Sequence, residues 1–121
     1  MSLLNITAIA YRQKQNLIRK NYSEIYTHEL AHKNAAGSLA GGIVIEKNSQ
    51  GIPVGGHISI KMPILDKQNP QKTIQHADVV IKSALAPANP SEQDYKVANQ
   101  AKLIKNKAEK YKSKNKIDYY A

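Results

Sequence analysis

From Tyr11 to Leu39 the chain carries no proline and a single glycine, Gly37. A stretch of that length without either breaker favours an α-helix, because Gly and Pro are the residues that interrupt one at real cost. Leu17, Ile18, Tyr22, Ile25 and Tyr26 recur at steps of three and four residues, the period of an amphipathic helix. Gly37, Gly41 and Gly42 mark its exit. The last third of this helix holds His28-Glu29-Leu30-Ala31-His32, a His-Glu-x-x-His motif. On a helix His28 and His32 share one side, where two neutral imidazoles can bind one Zn²⁺. Glu29, one position on from His28, is turned aside from the metal and can take a proton from water. Ala31, Ala35 and Ala36 leave room for another element to approach closely.

The chain has no Cys, which excludes a disulfide framework and a thiolate site, so zinc must be held by nitrogen and oxygen. A catalytic zinc takes three protein ligands and keeps one position open. The extended motif with a third His six residues after the second is absent, since Ser38 stands there. The candidates for the third ligand are His57, Glu46, His76 and Asp66, and His57 is preferred because it follows a glycine pair on a strand. Tyr22 and Tyr26 do not share a helical face with both histidines and are read as packing residues.

After the helix the pattern changes. Ile43 to Glu46 reads as a strand, Asn48-Ser49-Gln50-Gly51 as a turn, and Ile52 to Ile60 as a second strand, together a β-hairpin. Ile58 and Ile60 fall on one face of the second strand, His57 and Ser59 on the other. Gly55-Gly56 permits a close backbone approach. Asn69-Pro70 reads as a helix start with Asn69 as N-cap, followed by the stripe Ile74, Ala77, Ile81, Ala84, Leu85; Pro87 and Pro90 end it. Ser91 and Asp94 have the spacing of a capping box, with Val97, Ala101, Ile104, Ala108 and Tyr111 as the stripe behind them. Asp94 has a second reading, as an acceptor for the ring of a ligand histidine. Past about Lys112 the period fades, and the tail is expected to fray. The fold class is therefore a small α+β domain: a long motif-bearing helix, a β-hairpin and two further helices. It is one domain over 1–121, with a core over about 11–112 and no Phe or Trp to fill it.

Formal net charge is +9, and eight of the eighteen basic residues lie after residue 95, with only two acidic ones. Such a helix invites contact with nucleic acid, an acidic partner or an anionic surface. Lysine outnumbers arginine sixteen to two and no nucleic-acid-binding motif accompanies it, so a solvated helix face is expected instead. The first ten residues lack the basic flank of a signal peptide, and no stretch is apolar enough to span a bilayer; a cytoplasmic location is expected.

Three strings, His28 to His32, Val54 to Ile60 and Ala84-Leu85-Ala86-Pro87-Ala88-Asn89-Pro90-Ser91-Glu92-Gln93-Asp94, occur in an order that resembles the SprA-related family of bacterial proteins. The resemblance runs over about residues 20–110, and its most distinctive piece is the Ala84 to Asp94 string. The family pattern has Glu where this chain has His57, and both residue types ligate zinc. The resemblance implies a zincin-like metalloprotease domain. The expected function is zinc-dependent hydrolysis of a peptide bond, with Zn²⁺ on His28, His32 and His57 and Glu29 as general base. A zinc-stabilised or metal-free interaction scaffold is the alternative; a basic nucleic-acid-binding protein is a second. The hairpin edge is expected to hold an extended peptide by strand addition.

Overall fold

A computed structural model describes the backbone of residues 3–120 and the side chains of Leu3 and residues 5–114. It is α+β, as the sequence pattern implies. Helix α1 (Leu3–Ala36) leads through one turn of 3₁₀ helix at Gly37–Leu39 into strand β1 (Ala40–Lys47), antiparallel strand β2 (Pro53–Ile60), and helices α2 (Pro70–Ala84) and α3 (Glu92–Tyr120). Among the described residues no helix is long and apolar enough to cross a membrane.

Helix α1 begins eight residues earlier than its apolar period indicates. Its first turns are exposed, and nothing in their sequence breaks the helix; Thr7 Oγ1 donates to Leu3 O at 2.9 Å. The buried face also differs from the expected stripe. Glu29, His32 and Ala36 are buried, with Ile18, Asn21 and Ile25 half-buried behind them. Leu17, Tyr22 and Tyr26 face outward, and the two tyrosine rings stack on each other with centroids 5.9 Å apart. A polar residue in the buried stripe, Asn21, donates through Nδ2 to Pro53 O at 3.0 Å and fixes the start of β2 against the helix.

The hairpin turn is held by Asn48, whose Oδ1 accepts from the backbone of Gln50 at 2.9 Å and Ile52 at 3.0 Å. Gly51 takes a φ of 77°, which side chains disfavour. Register pairs Val44 with His57 and Ile45 with Gly56. At Gly56 the strand runs so close to α1 that a Cβ would lie 2.5 Å from Ile25 Cγ2 and 3.3 Å from Glu29 Cγ. The absent side chain lets β2 cross α1 directly over the motif.

Helices α2 and α3 supply most of the core. Apart from prolines, the buried apolar residues among those described are Ile74, Ala77, Val80 and Ala84 on α2, Ala98, Ala101 and Ala108 on α3, and Ala36 at the end of α1. Six of the eight are alanines, so the layers meet through short side chains and close backbone approach. Lys105 Nζ, 2.8 Å from Asp78 Oδ1, ties α3 to α2 at the surface, and this hydrogen bond raises the lysine pKa. Asn69 stands at the N-cap of α2 but makes no side-chain cap bond. Asp66 does the equivalent work one turn earlier: its Oδ1 accepts from the backbone of Gln68 and Asn69, both at 3.0 Å. Helix α3 continues beyond Lys112, where its apolar period ends, through Tyr120.

Candidate metal centre

The helical period brings His28 and His32 together, with Nε2 atoms 3.2 Å apart. Tetrahedral zinc with bonds near 2.0–2.1 Å sets its donor atoms roughly 3.3 Å apart, so this spacing fits one shared ion. Donor atoms of His28, Glu29 and His32 all lie within 4.8 Å of one another. Glu29 and His32 are buried, at 6% and 3% exposure, while His28 is half-buried. The three line a cleft of about 520 Å³, whose apolar wall includes Ile58, Ile60, Met62 and Val97.

The ring of His32 is locked by α2. Its Nδ1 lies 2.7 Å from Ser83 O, and a carbonyl oxygen can only accept, so Nδ1 carries the hydrogen. In the neutral ring Nε2 is then a bare lone pair aimed into the cluster, the state a metal requires. The lock is reciprocal: Ser83 Oγ, wholly buried, donates to His32 O at 2.8 Å. The importance of Ser83 was not visible in the sequence, where it is one small residue between the apolar positions of α2. Ser83→Ala is expected to lower stability by about 1 kcal/mol, or about 4 °C in Tm, while the Ser83 carbonyl still holds the ring. Thermal unfolding of the metal-free protein checks the value.

Asp94 closes the cluster from α3. Its Oδ2 lies 3.0 Å from His28 Nε2 and its Oδ1 lies 3.1 Å from His32 Nε2. The capping box is also formed: Ser91 N donates to Asp94 Oδ2 at 2.8 Å, and Asp94 N donates to Ser91 Oγ at 3.1 Å. The capping reading of Asp94 is thus met, and the same carboxylate lies against the Nε2 atoms of both histidines.

The other sequence candidates are turned elsewhere. His57, expected as the third ligand, is not brought to the pair. Its Nδ1 lies 2.8 Å from Glu46 Oε1, and 59% of its side chain is exposed, at the rim of the cleft. Strand alternation is the reason: Gly56, Ile58 and Ile60 share one face and Gly56 meets α1, so residue 57 points the other way, where its cross-strand partner is Val44 and Glu46 is the diagonal neighbour. His76 Nε2 donates to Lys61 O at 2.9 Å, and Asp66 serves the loop before α2. Tyr22 and Tyr26 do not line the cleft.

The donors that meet here could hold a metal ion. Two imidazole nitrogens at the separation a shared ion needs, one of them oriented by a backbone carbonyl, lie beside the carboxylates of Glu29 and Asp94. No curated protein and no solved structure matches the chain. The motif, the hairpin that crosses it and the capped start of α3 that closes it all lie within residues 6–118, the span matched by the family model described as the SprA-related family, and the chain belongs to that family.

Proposed function

We propose that the protein is a zinc-dependent peptidase. The observation that carries this reading is the convergence of His28 and His32 Nε2, 3.2 Å apart, beside the buried Glu29 carboxylate in an open cleft. Zinc, when bound, lowers the pKa of its water toward neutrality and polarises a carbonyl. His28 and His32 hold the ion, and the Ser83 carbonyl keeps the His32 ring in the required tautomer. Glu29, kept under β2 by the bare Gly56 backbone, accepts a proton from water on its carboxylate and returns it to the leaving amine nitrogen. In the described residues the sheet has two strands, so β2 has an unpaired edge, and its residues Gly56, Ile58 and Ile60 border the cleft. An extended peptide paired to that edge would run past the histidines, with an apolar side chain against Ile58, Ile60 and Met62.

Purified protein is expected to bind one zinc per chain. Chelation should abolish cleavage of a fluorogenic peptide library, and added zinc should restore it. His28→Ala and His32→Ala should each remove metal retention. Wild-type protein that takes up no zinc, or that cleaves equally well without it, overturns the reading.

A further inference from the structure

We infer that Asp94 is the third protein ligand of this centre, binding the metal with the carboxylate that also caps α3. The inference rests on the zinc reading above. It begins with a conflict among acceptors. His32 Nε2 has no hydrogen in the neutral ring, because Nδ1 donates to Ser83 O. Yet it faces Asp94 Oδ1, also an acceptor, at 3.1 Å, and His28 Nε2 at 3.2 Å. His28 can offer a proton to Asp94 Oδ2 at 3.0 Å, but that leaves the contact of His32 with Oδ1 unsatisfied. A divalent cation among the three groups resolves every one of these contacts at once. The 3.0 to 3.2 Å separations are near the roughly 3.3 Å of a tetrahedral donor set, and two imidazoles with one carboxylate suit zinc.

The capping box favours this role. Ser91 N–H holds Oδ2 at 2.8 Å, which fixes the plane of the carboxylate and turns Oδ1 toward His32. The Asp94 side chain is only 15% exposed, so it is placed by the fold and not by solvent. Glu29 beside the pair is kept for the proton, and the other acids and imidazoles considered as ligands are engaged elsewhere: His57 with Glu46, His76 with Lys61 O, and Asp66 with the loop before α2. Two donors from α1 and one from α3 leave the fourth position for water. Metal binding would then clamp the start of α3 to the motif helix.

Asp94→Asn separates ligation from capping, because the amide oxygen can still accept from Ser91 N–H while the anionic donor is gone. Zinc affinity is read by chelator competition, coordination by the visible spectrum of the Co²⁺-loaded protein, and the helix by circular dichroism without metal. Asp94→Asn and Asp94→Ala are expected to lose more than about 100-fold in zinc affinity, beyond the range for a residue that only orients a ligand, and to change the Co²⁺ spectrum. Metal-free Asp94→Asn should keep its helix content. Ser91→Ala, which weakens the cap and keeps the carboxylate, should change affinity by less than about 10-fold. A loss of 100-fold or less for both Asp94 variants with an unchanged Co²⁺ spectrum would make Asp94 an orienting acceptor and overturn the inference. So would loss of a ligand's signature in His57→Ala instead. Wild-type protein that binds no zinc would remove the zinc reading itself, whereas wild-type binding matched by Asp94→Asn removes only the assignment of Asp94.

Discussion

Replacing Glu29 by Gln is expected to cut peptide turnover by about 10²–10⁴-fold while leaving zinc affinity within severalfold of the original. Gln has nearly the same volume and still forms hydrogen bonds, so the buried position beside Gly56 is kept. What it lacks is a basic oxygen to accept the proton from water. Steady-state kinetics on protein of measured metal content separates the two effects. Turnover that survives would move the base elsewhere, and zinc lost together with activity would make Glu29 a ligand. A scaffold that merely keeps the motif predicts a third pattern: no turnover in either protein, with equal metal binding.

The second large effect is expected at Gly56. Its Cβ would meet Ile25 Cγ2 at 2.5 Å and the Val44 backbone oxygen at 3.1 Å. The isoleucine is β-branched and has little freedom to turn away, and the carbonyl belongs to the paired strand. Gly56→Ala should therefore cost about 1–3 kcal/mol, the range for overfilling a packed contact. A fall in Tm of roughly 4–12 °C should follow. The displaced strand would also press on Glu29 Cγ, so turnover should fall beyond what the lost stability explains. Gly55→Ala is the control: its Cβ meets only Glu46 Oε2, at 3.6 Å, an ordinary contact. It should be close to neutral. Equal effects at the two positions would show that the approach of β2 to α1 is not tight.

Local features were the legible ones. The histidine pair follows from helical period alone, the hairpin from Asn48 and Gly51 between two Ile-rich runs, and the capping box from Ser91 and Asp94. Features set by packing were harder to read. Leu17, Tyr22 and Tyr26 look like one face with Ile18 and Ile25, but the buried side includes Asn21, whose amide is spoken for by Pro53 O. Helix α1 starts early because nothing in residues 3–10 opposes it, although the apolar period does not extend there. His57 drew the choice of third ligand because it is polar and follows two glycines. The alternation that places Ile58 and Ile60 toward α1 already pointed its ring outward. Asp94 has two readings in the sequence, a cap, which is formed, and an acceptor for a histidine ring; that α3 begins beside the pair depends on how the Pro87 to Pro90 turn returns the chain, which residue spacing does not encode.

A helix N-terminus judged by itself would prefer Glu at the third position of a capping box, since the longer arm reaches back more easily. This chain has Asp there, with its oxygens 3.0 and 3.1 Å from two imidazoles. One more methylene would push the carboxylate past both rings or force the helix to withdraw. Asp94→Glu, an exchange that the capping rule alone would favour, is therefore expected to move the carboxylate off both rings, improving the helix end while weakening metal binding.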